Sequence, residues 1–523
     1  MSHEASGLKE DRKKIVKRAV FMAGGTLTSR VLGLFRDIAL AALFDRTVTD
    51  AWTAAFRIPN LFRRLFGEGS LSVSFIPVFI EAQNQDPTGH RSRNLINAVY
   101  TLLLIFLSCV TVVGIWQAEP MMRALLADNY GLVAGKWELT LRMARIMFSF
   151  VFFVCSYAYF MGILNALGSF ALPALAPALL NISMLVFTFM PPAWFPQNGD
   201  GLAWGVFVGG FLQALVLWWA LKLRGYLPRV QKQLWNPDVK HVLVNLLPGL
   251  LGLGLLQFAT LVNLHFASGL PEGSLSYIYW ADRLLELPLS LVSVSLGTAL
   301  LPTLSDLAQR KLHDQFTSVV KEHFILNMFL GWPAALGLFF LAEPIVEVLF
   351  KRGHFSETDV AMTAQILKVY SVSLLLVSAV RVLVPAFYAI KNTWIPAATS
   401  FFSLVLHVLW APWWISQKGL EGLVISSLCA SVVQLVAVVI CLEIYKISFS
   451  WISAGRELVK ILVAGVALAA LTQVYLILPG QGYIALAVTI LLAALGYLLC
   501  AKLFRIEQAD FLLQYLQRKA QRK

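Results

Sequence analysis

The chain has 523 residues, 58% of them hydrophobic and only 14% charged, with a mean hydropathy of +0.71. Soluble domains carry about 25% charged residues, so a water-soluble fold is excluded and a polytopic membrane protein is expected. The net charge of +13 does not point to nucleic acid, because Lys and Arg gather in short segments between apolar runs, as the positive-inside rule distributes them.

The opening segment "MSHEASGLKEDRKKIVKR" is basic like the start of a signal peptide, but the run after it is broken by Arg30 and lacks a small-x-small cleavage site. It reads as a retained cytoplasmic tail. Apolar runs of about 20 residues can cross the hydrocarbon. They predict fourteen helices, near 19–44, 61–82, 96–117, 142–166, 172–191, 202–221, 242–267, 275–303, 324–345, 364–389, 396–415, 420–443, 459–478 and 483–504. With a cytoplasmic N-terminus, the inside segments are the tail with Lys13 and Lys14, then "GHRSRN", "KLRGYLPRVQKQ", "QRKLHDQ", "YKISFSWISAGRELVK" and "LQRKAQRK", all basic or mixed. The outside segments "PPAWFPQNGD", "SGLPEG" and "LPGQGY" hold no Lys or Arg. Both ends are therefore expected inside; the basic loop between the first two helices and "FKRGHF" at 350–355 run against the pattern. The five cysteines, Cys109, Cys155, Cys429, Cys441 and Cys500, lie in apolar runs without C-x-x-C and read as membrane-core residues.

Two pairs of segments repeat at nearly one offset. Pro77 of "FRIPNLFRRLFGEGSLSVSFIP" and Pro302 of "DRLLELPLSLVSVSLGTALLP" are 302 − 77 = 225 apart; Pro173 and Pro396 are 396 − 173 = 223 apart. A duplicated unit of six helices follows, with both copies pointing the same way and the last two helices outside the repeat. Those last two carry charge only at Lys460 and Lys502.

In and just before the stretch "TSRVLGLFRD" (28–37), Thr26, Arg30, Gly33 and Asp37 share one helical stripe, with Arg36 on its flank. An arginine at mid-membrane costs about 2.5–3.5 kcal/mol, so Arg30, Arg36, Arg63 and Arg283 facing lipid would together cost about 10–14 kcal/mol. They must face a hydrated cavity or a partner. One reading is local pairing, of Arg36 with Asp37, Arg283 with Glu286, and Arg63 or Arg64 with Glu68. The other is an anion site between the halves, where the planar fork of arginine suits phosphate. No P-loop and no H-E-x-x-H occurs, so neither an ATP site nor an enzymatic centre is expected, and His90, His265, His313, His354 and His407 read as structural.

The motifs "SRVLGLFRD", "TDAWTAAFRIPNLFRRLFGEGSLSVSFIPVF", "NALGSFALPALAPALLNISM", "YWADRLLELPLSLVSVSLGTALLP" and "VLVPAFYAIKNT" resemble those of the MurJ/MviN lipid II flippases of the bacterial cytoplasmic membrane, from the first helix through the fourteenth. The resemblance implies an all-α MOP-type fold: an N-lobe (1–225), a C-lobe (226–445), and a C-terminal pair (446–523) forming a lipid-tail groove, which the near absence of charge on that pair suits and in which Gly465 and Ala469 are expected as small groove positions. It also implies that Arg30, Arg36, Arg63 and Arg283 contact substrate, while Asp37, Asp50, Glu68 and Glu286 serve the cavity or gate. No cofactor is implied. The implied substrate is lipid II, an undecaprenyl diphosphate carrying a disaccharide-pentapeptide, moved by alternating access, with cell-wall synthesis proteins as further candidate partners. Gly24, Gly25, Pro173, Pro177 and Pro248 are candidate bending points. The chain departs from the family at the sodium site of some members: helix seven offers Asn245 and Asn263 but no acid, and "AATSFFSLVLHVLW" offers none, which argues against bound sodium. The competing readings are a MATE-like or oligosaccharide-lipid exporter of the same fold, and a scaffold of cell-wall synthesis without transport.

Overall fold

A computed structural model describes residues 24–25, 27–66, 71–86, 88–290, 292, 295–447, 449–478 and 482–510, with the backbone alone at 72–73, 247–253, 255–256, 295 and 298–299. The N-terminal tail, Thr26, Glu68 and the final "LQRKAQRK" lie outside the described residues. The described chain is helical throughout and forms two compact units divided between Leu275 and Ser276.

The first unit holds α1 (27–43), α2 (Arg46–Leu65), α3 (Leu71–Gln85), α4 (His90–Trp116), α5 (Ala118–Leu125), α6 (Lys136–Ala166), α7 (Ala171–Leu175), α8 (Pro177–Thr188), α9 (Asp200–Leu223) and α10 (Pro237–Ser268). The second holds nearly all of α11 (Ser274–Leu289), then α12 (Ser295–Gln309), α13 (His313–Phe340), α14 (Ala342–Phe350), α15 (Glu357–Ala389), α16 (Trp394–Ile444), α17 (Trp451–Thr472), α18 (Val474–Ile477) and α19 (Tyr483–Leu503). Among the described residues, nine helices are long and apolar enough to cross a membrane. One of them, α16, is really two, because Gly419 breaks it at φ 57°, ψ −130°, a region closed to residues with a Cβ. Each expected span overlaps a helix, with differences at the edges. The second begins at Arg46 rather than 61 because Asp45 caps its N-terminus through Val48 N–H at 2.9 Å; Arg46, Asp50 and Arg57, all before residue 61, hide its start from an apolar count. The expected 275–303 span is divided into α11 and α12.

The repeat is visible in the element starts. Helices α3, α4, α5 and α6 begin at 71, 90, 118 and 136; α12, α13, α14 and α15 begin at 295, 313, 342 and 357, offsets of 224, 223, 224 and 221. "AEP" opens both α5 and α14.

In the first unit α6 is the central, most buried span. Tyr159 on it meets Phe75 edge-on at 5.3 Å between centroids and donates to the Ile96 carbonyl at 2.7 Å. Small residues let α9 close on α8: a Cβ on Gly209 would stand 2.8 Å from Leu180 Cα, the close approach that drives association where lipid offers no hydrophobic contrast. In the second unit the core runs through Leu300, Phe329, Leu383 and Phe387 and on into Ile461 and Tyr497 of the unrepeated pair. Gly465, expected on an open groove, is buried against α13: its Cβ would fall 2.1 Å from Trp332 Nε1.

The basic segment 350–355, which runs against the expected charge pattern, has a local explanation. Lys351 bonds Glu347 at 2.8 Å and Glu357 at 2.7 Å, and these bonds, that to Glu347 first, hold its ammonium well above the ordinary lysine range. Its charge is matched on site.

Candidate functional site

On α1, Leu27, Val31 and Phe35 at four-residue spacing are exposed, as a lipid-facing stripe would be, while Gly33, Arg36 and Asp37 are buried and Arg30 is half-buried. The polar residues thus leave the lipid-facing stripe as the helical period requires. Arg36 is 5% exposed and Asp37 1%. Its Nε and Nη2 both donate to Asp37 Oδ1, at 2.9 and 2.5 Å, and its Nη1 donates to Asn181 Oδ1 at 3.0 Å. Asn181 in turn donates through Nδ2 to the Ser29 carbonyl at 2.8 Å. Arg36 is therefore a fixed, charge-neutralised bolt between α1 and α8.

Arg63 sits half-buried in the last turn of α2, its Nε donating to Asn60 Oδ1 at 2.8 Å. In the second unit Arg283 Nη1 and Glu286 Oε2 on α11 are 3.3 Å apart, both about a third exposed. The two local pairings expected at Arg36 and Arg283 are thus present, and the one at Glu68 falls outside the described residues. Arg283 and Glu286 form the looser pair and keep more access to solvent.

Asp50 is 1% exposed and accepts from Lys136 Nζ and from the Gly273 N–H, each at 2.8 Å. Lys136, 4% exposed, also lies 4.8 Å from the centre of the Tyr130 ring, and Tyr130 shares a 2.8 Å hydrogen bond with Thr140. The segment after α10 is pinned further, Thr47 donating to Glu272 and Asn129 to the Gly269 carbonyl. At the opposite end of α10, Arg91 donates to both oxygens of Asp238 at 2.8 and 2.6 Å. The head of α10 and the segment that follows it are thus both tied to the rest of the first unit. The second unit has a counterpart to the Asp50 contact: Tyr277 on α11 donates to buried Asp359 of α15 at 2.8 Å, and Asp359 also completes a capping box with Ser356. Lys136 and Asn181 were not expected from sequence; Lys136 precedes the apolar run of its helix, and Asn181 is one polar residue in an apolar one.

Among the described residues no three His, Cys, Asp or Glu side chains converge as metal ligands would. His407 on α16 is buried and bonded to Ser426 at 2.8 Å.

Two helical units that share one repeated order of elements, with an arginine–aspartate pair buried on an apolar helix and a half-buried arginine–glutamate pair, define a membrane transporter of the MOP type. The fold matches a solved inward-facing multidrug resistance MATE family transporter of the MOP superfamily, with TM-score 0.66 and 15% identity over 85% of this chain and 98% of that one. It matches a solved lipid II flippase MurJ in an inward closed conformation more fully, with TM-score 0.78 and 21% identity over 93% and 98%. The sequence model of lipid II flippase MurJ matches residues 39–494. A probable lipid II flippase MurJ of Bdellovibrio bacteriovorus is 63% identical over 513 residues, covering 97% of this chain and 98% of the relative. The chain belongs to the MurJ family.

Proposed function

We propose that this chain is a lipid II flippase, carrying the undecaprenyl-diphosphate-linked disaccharide-pentapeptide from the inner to the outer leaflet of the bacterial cytoplasmic membrane by alternating access, with both termini cytoplasmic. The observation that carries this reading is 63% identity to the Bdellovibrio protein along nearly the full length of both chains. Its function is transport rather than catalysis.

In this reading Arg30, Arg63 and Arg283, all half-buried, supply cations to the diphosphate, where charge-assisted and bidentate bonds are strongest. Arg36, already held by Asp37 and Asn181, shapes the cavity and adds positive potential rather than gripping the substrate. Glu286 holds Arg283 until the diphosphate competes for it, Glu68 is kept among the gate residues, and Asp37 and Asp50 set the local packing. The working parts are 1–225, 226–445 and 446–523, with the last guiding the isoprenoid tail. The ties of Asp238 to Arg91 and of Gly273 to Asp50 are then exchanged during the cycle. Cell-wall synthesis proteins are the partners that would use the exported lipid.

Purified protein in vesicles loaded with labelled lipid II tests this. Transfer between leaflets that requires the protein and fails in Arg283→Ala is expected; no transfer above protein-free vesicles would overturn the reading and favour a scaffold.

A further inference from the structure

A cavity of about 950 Å³ opens on the first unit between the start of α6 and the α8–α9 connection, lined by Trp137, Trp194 and Trp204 together with four charged residues. Two of the four are already engaged. Arg142 Nε lies 2.9 Å from the fully buried carboxylate of Asp200, and Glu119 holds Arg123 at 2.9 Å. The other two, Glu138 and Arg145, are exposed, and among the described residues neither makes an ion pair or a side-chain hydrogen bond. A lone cation and a lone anion therefore share one tryptophan-lined cavity.

Their placement on α6 is ordered. They are seven residues apart, two turns, so they lie near one face with Arg145 about 10 Å farther along the axis. The apolar run expected to cross the membrane starts at 142, which puts Arg145 just inside the hydrocarbon edge and Glu138 on the water side. Side chains of a helix lean toward its N-terminus, and a long arginine stem snorkels in that direction, so the guanidinium rises toward Glu138 and closes much of the axial gap. An anion that meets Arg145 at this depth arrives attached to an acyl chain, and the tryptophans, Trp194 at 70% exposed above all, are the residues that settle at headgroup level.

We propose that this cavity binds one glycerophospholipid whose headgroup ends in a primary ammonium, as in phosphatidylethanolamine, with Arg145 on the phosphodiester and Glu138 on the ammonium. The order of charges matches the lipid, phosphate nearer the chains and amine nearer water. The second unit supplies a contrast. Aligned on their C-terminal ends, Ala166 and Ala389, an offset of 223, α6 and α15 place Arg145 opposite exposed Lys368, but Glu138 opposite Ala361. The cation recurs there without the acid, so amine selectivity belongs to the first unit alone.

The full-length protein, purified in detergent and exchanged with equal amounts of phosphatidylethanolamine, phosphatidylcholine and phosphatidylglycerol, is analysed by native mass spectrometry. Wild type is expected to retain one phosphatidylethanolamine several-fold over the other two. Arg145→Ala should lose that retention and Arg145→Lys keep most of it. Glu138→Gln should bring phosphatidylethanolamine and phosphatidylcholine to parity while lipid still binds. Equal retention of all three lipids by wild type, or unchanged selectivity in Glu138→Gln, overturns the proposal. Glu138 is exposed on the water side of the helix, so its variant decides the matter even if Arg145→Ala fails to fold.

Discussion

Lys136 donates to Asp50 across 2.8 Å with both side chains almost wholly buried, and the same Asp50 oxygen accepts the Gly273 N–H. A lysine at the first turn of α6 thereby neutralises a carboxylate near the start of α2, 86 residues earlier. The pair also fixes the segment that leads from α10 into α11. Desolvating two charges is expensive, and the gain over an apolar pair is small; what such a pair does strongly is penalise the loss of one partner.

Lys136→Met should therefore destabilise the protein by about 3–5 kcal/mol, because Asp50 is left buried and uncompensated. Adding Asp50→Asn, which keeps an acceptor for Gly273, should recover much of that loss. Thermal unfolding in detergent, followed by intrinsic fluorescence, measures both. A double variant no more stable than Lys136→Met would show that the charge pairing is not what holds this end.

Arg36 and Arg283 should separate under mutation. Arg36→Ala strips Asp37 of its partner in a site only 1–5% exposed, so folded protein in the membrane should fall. Arg283→Ala loosens a 3.3 Å pair that is a third exposed, so abundance should hold while transport is lost. Immunoblots of membrane fractions beside growth complementation distinguish the two. Equal abundance with equal loss of growth would return Arg36 to the substrate-binding set.

What was legible in the sequence was what lies close in the chain or repeats along it. Apolar runs located the spans, two proline offsets of 225 and 223 anticipated the element offsets of 221–224, and the pairs Arg36–Asp37 and Arg283–Glu286 are neighbours by one and three residues. Contacts spanning many residues were not legible. Asn181 meets Arg36 across 145 residues and Lys136 meets Asp50 across 86, and no local pattern encodes which side of a helix faces which neighbour. Gly465 illustrates the same limit: smallness marked it as a place of close approach, but only the packing shows that the approaching group is Trp332.

The turn inside α16 gives a backbone prediction. Gly419 has φ 57°, and a Cβ on Gly422 would stand 2.0 Å from the Trp414 carbonyl oxygen. Gly419→Ala should cost about 1–3 kcal/mol through strain alone. Gly422→Ala should cost more, since the obstacle is backbone and must move. Gly455→Ala on α17, where nothing lies within 4 Å, is the control and should be neutral or stabilising. Unfolding midpoints of the three in one detergent test the order.

The last prediction concerns the driving force and rests on the proposed transport of an anionic lipid. Its head group leaves the negative side of the membrane, and one elementary charge crossing 100 mV is worth about 2.3 kcal/mol, so export is downhill electrically. Return of the empty, arginine-bearing cavity toward the inside is favoured by the same field. Sodium has no comparable hold: residues 242–267 contain no acid, Asp238 at the head of α10 is taken by Arg91, and buried His407 is bonded to Ser426. In reconstituted vesicles with a potassium-set diffusion potential, collapsing the potential should stop transport while sodium-free buffer leaves it unchanged. Transport that continues at zero potential but fails without sodium would mean that asparagine, hydroxyl and carbonyl oxygens alone build a sodium site here.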